Sequence, residues 1–406
     1  WLIDPYDYVI GATEAGAITT ALNSNNLTIT TTNDVTAYGS NGNNASSGDI
    51  TISSSIYSFA TNQLSLVAAN DININSDIFL NGNFSAQASN AINLNADILN
   101  NGTQTYTGPV NILSSIILDT TYGVSSSTYT SYNSTLTDAG SYSGAVRVQV
   151  RGAAGGTGGR DSENGLADGP AGNYTATYYL SSAQNLYVAV GNNGSNGLDS
   201  QSGTGGGAGG ANVLGFSGGA GGAAGSVGTS GGGGGGGAAS VVRIGTGANY
   251  VVGGGAGGGA GGNNEGGDGE TTGQTYNSGK VNGTNFSGAA GQSANAAAGG
   301  GVDGGGSGGG GGGYYGGSGG LGATGGSEVA GRGGYGGGSG SIGLTAYAET
   351  NTTYATSAGA DGYVKIDSLA ANENTAGNNI TFSSTINGAN SLTLKPGTDG
   401  DVTFNG

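Results

Sequence analysis

Apolar and polar residues alternate along Leu64-Ser65-Leu66-Val67-Ala68-Ala69-Asn70-Asp71-Ile72-Asn73-Ile74-Asn75-Ser76-Asp77-Ile78, and the order returns twenty positions later from Phe84 to Ile98. Leu64 matches Phe84, Leu66 matches Ala86, Ile72 matches Ile92, Ile74 matches Leu94 and Ile78 matches Ile98. Asn73/Asn93, Asn75/Asn95 and Asp77/Asp97 repeat in the same register. Alternation with period two marks strands that bury one face. A repeat of this length means that each set of strands stacks on the copy before it, because one copy alone cannot bury its apolar face. The pattern predicts a right-handed parallel β-helix, with an inner column of Ile, Leu, Val and Phe and outer ladders of Asn and Thr. Partial copies begin at Leu27-Thr28-Ile29, with Asn33-Asp34-Val35 expected at the level of Asn70-Asp71-Ile72. An insertion from Tyr38 to Asp49 follows before Ile50-Thr51-Ile52 and Ile56; another copy is Val110-Asn111-Ile112 with Ile116.

The repeat is then interrupted. Glycine supplies 94 of the 406 residues, most of them between Ala153 and about Gly340, with an unbroken run from Gly231 to Gly237. Beyond that block, Ile380-Thr381-Phe382, Ile386, Leu392-Thr393-Leu394 and Val402-Thr403-Phe404 restore the repeat. Ile72 to Phe84 and Ile380 to Leu392 are both steps of twelve, which reads as one solenoid resuming its stride. The expected organisation is β-helix rungs over 1–117, a glycine-rich domain over 118–367, and rungs again over 368–406. The chain starts at Trp1 without an initiator Met and stops in mid-repeat, so it is expected to be a segment of something longer.

A glycine block of this kind is either a disordered linker or a fold that needs glycine. Disordered segments are poor in aromatic and β-branched residues, whereas this block is bracketed by Ala145-Val146-Arg147-Val148-Gln149-Val150 and Leu186-Tyr187-Val188-Ala189-Val190. Order is the expectation. An extended helix of three residues per turn makes no internal hydrogen bonds, so its amides and carbonyls point outward. Several such helices can bond to one another if no Cβ holds them apart. The runs at 203–210, 218–225, 231–237, 253–262, 299–313 and 333–340 predict a polyglycine II bundle resting on β-strands. Loops at 192–202, 263–285 and 344–354 would emerge at its ends, and Tyr276, Phe286, Tyr314, Tyr315 and Tyr335 would stack on sugars, pack between protomers or cap the bundle.

Composition narrows the chemistry. The formal net charge is −17 with eight Lys plus Arg. That opposes nucleic acid, whose phosphates need clustered cations, and anionic membrane surfaces. His, Cys and Met are absent, which removes disulfides, thiolate and imidazole metal sites and triad nucleophiles. No P-loop is present, and no apolar run reaches bilayer length. Paired carboxylates could still cleave a polysaccharide, and Asp71, Asp77 and Asp97 lie along the repeat. Asp77 and Asp97 recur at the rung period, however, which marks a turn position. No catalytic, cofactor-binding or metal-binding residue is therefore expected, and the chain reads as a non-enzyme. Calcium is the one ion the oxygen donors could serve, at Asp268-Gly269-Glu270, Asp361-Gly362 or Asp399-Gly400-Asp401, although Asp-Gly is first a turn signal.

Two resemblances follow from these residues. Trp1-Leu2-Ile3-Asp4-Pro5 and the Asn/Thr-rich rungs over about 1–117 and 370–406 resemble filamentous-haemagglutinin-type bacterial exoproteins. There a similar Trp-Leu-Ile/Leu-Asp-Pro motif precedes a β-helical shaft. That resemblance implies two-partner secretion, a bacterial outer surface or extracellular location, and a role in adhesion, aggregation or contact. The strands and glycine runs over about 125–366, closing on Gly359-Ala360-Asp361-Gly362-Tyr363-Val364-Lys365-Ile366, are similar to glycine-rich domains of bacterial and phage fibre proteins and of anaplastic lymphoma kinase. In the phage domains such loops bind the receptor.

The functional expectation is a structural extracellular fibre or cell-surface protein that self-associates, without nucleic-acid partners or membrane insertion. Open solenoid ends make end-to-end stacking physically available. The alternatives are a carbohydrate-binding adhesin module and, from the Thr28-Ile29-Thr30-Thr31-Thr32 run, an ice-binding surface.

Overall fold

The computed structural model describes residues 2–3, 7–31, 48–160, 169, 171–199, 205–223, 231–261, 306–314, 316–319, 333–354, 359–370 and 374–405. The described chain is mostly strand, with one helix, and it forms two compact units: Trp1–Ser126 with Asp367–Gly406, and Ser127–Ile366.

The first unit holds three parallel sheets that the chain visits in turn. The first contains Leu27–Thr30, Leu64–Ala68, Phe84–Ala88, Gln104–Thr107, Ile380–Phe382 and Val402–Phe404, beginning with Leu2–Ile3. The second runs through Tyr8–Ile10, Ile50–Ile52, Asp71–Ile74, Ala91–Leu94, Val110–Ile112 and Ile386–Asn387. The third comprises Ile56–Ser58, Ile78–Leu80, Ile98–Asn100, Ile116–Asp119 and Leu392–Lys395. The twenty-residue register holds in all three, since Leu64 pairs with Phe84, Ile72 with Ile92 and Ile78 with Ile98. Inward residues bury completely in columns such as Ile50, Ile72, Ile92 and Val110.

After the glycine block the chain rejoins the rung it left. Gln104 pairs with Ile380, Val110 with Ile386 and Ile116 with Leu392. The matching steps of twelve turn out to compare unlike intervals. Ile72 to Phe84 leads from the second sheet to the first, whereas Ile380 to Leu392 leads from the first to the third. The strand Ile116–Asp119 also runs across the expected 117/118 boundary.

Two further details differ from the expectation. Ile50-Thr51-Ile52, rather than Asn33-Asp34-Val35, pairs with Ile72-Asn73-Ile74; residues 33–35 lie outside the described residues. Second, Ala12–Leu22 forms a helix inside the otherwise all-β unit. It buries Ala15, Ile18, Thr19 and Leu22, one apolar face at helical spacing. Glu14 Oε2 accepts from the Gly11 amide at its start, and Thr19 Oγ1 accepts from the Tyr57 amide at 3.4 Å. The helix thus covers Ile56–Ser58, the strand that begins the third sheet, whose edge would otherwise stay unpaired.

The second unit contains long antiparallel strands, Thr137–Arg151 against Ala171–Ala189, continued by Ser240–Ile244, Tyr250–Gly253 and Gly340–Ile342. Val146, Val148, Val150, Ala176, Val188, Val242, Val251, Val364 and Ile366 fill its core. Above the strands lie glycine segments whose bonding has a period of three. The amides of Gly232, Gly235 and Ala238 donate to Leu198, Ser195 and Asn192. Those of Gly233 and Gly236 donate to Gly222 and Gly219, and those of Gly234 and Gly237 to Gly259 and Ala256. The carbonyls of the same segment accept from 153–159, 207–210 and 306–312. One strand of glycine is therefore bonded on six sides, three as donor and three as acceptor.

The layers explain the composition. Residues 231–239, 251–261 and 306–313 are buried at every position, and they are almost all Gly, Ala or Ser. Outer segments need glycine only where they face inward, as in the buried Gly191, Gly194 and Gly197, with Ser195 and Asn196 exposed between them. This corrects the expected loop at 192–202, whose described part, 192–199, is a bonded segment of the bundle. Ala348–Tyr354 is likewise a strand paired with Ala171–Thr177, leaving only its approach as loop.

Candidate functional site

A cleft of about 470 Å³ opens in the second unit between Tyr174, Tyr314, the turn Leu344–Tyr347 and the start of the strand that follows. Tyr174 reaches it from Ala171–Ala189, where alternation sends its ring inward; it is 2% exposed. Ser341 and Glu349 come from the two flanking short strands. The Tyr174 hydroxyl donates to Glu349 Oε2 at 2.5 Å and lies 2.8 Å from Ser341 Oγ, which also bonds the Tyr178 hydroxyl. Burial pushes the Tyr178 phenol up to about 12 and raises Tyr174 further, helped by its bond to Glu349. Both stay neutral donors near neutral pH. Ser339, Thr345 and Asn351 add polar groups to the walls, and Tyr347 adds a third aromatic side chain. Ser339 Oγ accepts from the Gly254 amide at 2.9 Å, which ties the cleft wall to the glycine bundle.

Sequence reasoning reached this site only in part. Tyr314 lines it, while Tyr335 lies apart and is 42% exposed. Tyr276, Phe286, Tyr315, the loop at 263–285 and Asp268-Gly269-Glu270 lie outside the described residues. Glu349 and Asn351 fall within the expected loop at 344–354, on its strand part, and line the cleft; Tyr174 and Ser341 were missed. The signal for Tyr174 was the alternation of Gly172 to Leu180, but only the fold reveals that this strand pairs with Ala348–Tyr354.

The carboxylates of the rungs have another role. Asp49 Oδ1 accepts the Asp71 amide, Asp71 Oδ1 accepts the Ala91 amide, Asp77 Oδ1 accepts the Asp97 amide and Asp97 Oδ1 accepts the Ile117 amide, all at 2.8–3.0 Å. Each caps a backbone donor one rung on. Burial raises Asp97, and the neighbouring Asp77 adds to it while the Ile117 amide opposes. Asp361 Oδ2 accepts from the Tyr132 amide, and Asp399 Oδ1 from the Thr398 hydroxyl. Among the described residues, no group of three or more His, Cys, Asp or Glu assembles to hold a metal ion.

Outward polar residues form rows. Asn93 Nδ2 donates to Asn73 Oδ1 at 2.8 Å, and Asn111 Nδ2 to Asn93 Oδ1 at 2.9 Å. On the first sheet, Thr28, Ser65, Ser85, Thr105, Thr381 and Thr403 stand in register. The neighbouring row there, Thr30, Val67, Gln87 and Thr107, is mixed. Neither a protein-family model nor a curated protein matches the chain.

Proposed function

We propose that the chain is a non-enzymatic structural element of a bacterial extracellular fibre or surface layer, built from a right-handed β-helix interrupted by a polyglycine II bundle. The observation that carries this reading is where the polar side chains spend their hydrogen bonds. Asn73, Asn93 and Asn111 bond rung to rung, and Asp49, Asp71, Asp77 and Asp97 cap the next rung's backbone. Groups that an enzyme would aim at a substrate are here tied into the scaffold. Bonding between rungs favours stiffness, because each added rung satisfies groups on the one before it. The bundle points the same way: glycine loses the most entropy on ordering, and a six-sided bonding pattern offsets that cost only in a rigid body.

Adhesion or self-assembly is the function such a body serves best, at a cell surface or in a secreted filament. Imaging and sedimentation of the folded chain across a wide concentration range test it. Ordered multimers or filaments are expected. A chain that stays monomeric at the highest attainable concentration, and that does not coat cells of its source, would remove both roles.

A further inference from the structure

We infer that the cleft beside Tyr174 is a binding site for a short neutral saccharide. Its volume of about 470 Å³ lies within the range of about 300–1,000 Å³ typical of small-molecule sites. The lining is amphipathic in the way a sugar is: Tyr314 and Tyr347, both half-buried, supply apolar surface over the buried Tyr174, and Ser339, Ser341, Thr345, Glu349 and Asn351 supply donors and acceptors. A pyranose offers a C–H face to an aromatic ring and hydroxyls at its rim.

The polar groups are held in place before any ligand arrives. Tyr174 is buried, and its hydroxyl fixes one oxygen of Glu349. Ser341 is held by two phenols. Among the described residues nothing donates to the second oxygen of Glu349, and the Thr345 hydroxyl makes no hydrogen bond. A carboxylate with a spare acceptor beside a hydroxyl suits a sugar's adjacent hydroxyls, with little ordering cost on the protein side. Charge excludes the acidic glycans. Among the described residues no Lys or Arg lines the cleft, Glu349 stands at its wall, and the whole chain carries −17. The inference extends the surface-element reading, which puts the cleft where outside glycans can reach it.

The test is calorimetric or ligand-observed titration of the folded full chain with cellotriose, mannotriose, lactose and chitotriose, each beside a sialylated, sulfated or uronic-acid counterpart. At least one neutral sugar is expected to bind, with its acidic counterpart at least tenfold weaker. Glu349→Gln and the pair Thr345→Val with Asn351→Ala are expected to weaken binding at least tenfold while leaving thermal melting unchanged. Absence of binding by every neutral sugar at millimolar concentration overturns the inference, as does binding that survives the Thr345/Asn351 pair. Either result leaves assembly of the chain untouched, so the two proposals fail separately.

Discussion

The carbonyl oxygen of Gly156 lies where Gly234 would carry its Cβ. The clash cannot relax by turning a side chain, because both partners are backbone and both are bonded, Gly234 to Gly259 and Gly259 back to Gly156. Gly233, Gly235 and Gly236 face Ser307, Ala208 and Gly310 in the same way, each closer than 3.0 Å to an added Cβ. Gly234→Ala is therefore expected to destabilise the second unit by about 3 kcal/mol or more. Gly205, whose Cβ would meet nothing within 4 Å, is the control. Gly205→Ala should change stability by less than about 1 kcal/mol, with a stabilising sign from the unfolded chain. Thermal melting of the two variants against the parent checks both; equal effects would count against the bundle.

How much of this was legible depends on repetition. The rung register could be read from Ile72, Asn73, Ile74 and their copies because stacked positions face the same neighbours and so demand the same residues. The glycine runs announced the inner bundle for a similar reason. What repetition did not cover was lost. Ala12–Leu22 occurs once, and its Ala15-Ile18-Thr19-Leu22 face passed unnoticed among strand-like neighbours. Outer segments such as 192–199 carry glycine only every third residue, and Asn192, Ser195 and Asn196 made them look like loops. The cleft joins Tyr174 to Glu349, residues far apart in sequence, and no local pattern links them.

Gln104 breaks the apolar column of the first sheet, standing between Phe84 and Ile380. Its amide donates to Ile98 O at 2.9 Å and Asn100 Oδ1 at 2.8 Å, and its carbonyl accepts the Tyr106 hydroxyl at 2.8 Å. All three side chains are fully buried. Gln104→Leu would restore the apolar column but orphan the Tyr106 hydroxyl and Asn100 Oδ1, so a loss of about 2–4 kcal/mol is expected. Adding Tyr106→Phe should recover part of that loss, because removing both partners of a buried bond costs less than removing one. Denaturant unfolding of the single and double variants measures this; simple additivity would show that the network is not coupled.

Asn93 sits between Asn73 and Asn111 and takes part in two amide bonds, as donor and as acceptor. Asn111 makes one bond in this row. Asn93→Ala is expected to cost about 1–2 kcal/mol and Asn111→Ala about half as much, at roughly 0.5–1.5 kcal/mol per bond. Equal costs in urea unfolding would mean that the rows decorate the rungs rather than join them.

Alkali should unfold the chain through its buried phenols. Burial is the main cause of the raised Tyr178, up to about 12, with Ser341 and Tyr174 opposing by hydrogen bonding and Glu349 adding to the rise. Tyr174 and Tyr106 are raised as well, in both cases chiefly by burial. A phenol in the unfolded chain titrates near 10. With the folded value above the unfolded one, the stabilisation is complete below about pH 10 and is lost as pH climbs through about 12. Melting temperature should therefore hold steady up to about pH 10 and then fall steeply, with phenolate absorbance rising in step with unfolding. Tyr178→Phe removes one of these groups, and Ser341 keeps its bond to Tyr174. That variant is expected to stay within about 1 kcal/mol of the parent at neutral pH and to move the alkaline transition upward. An unchanged alkaline midpoint would show that Tyr178 does not control it.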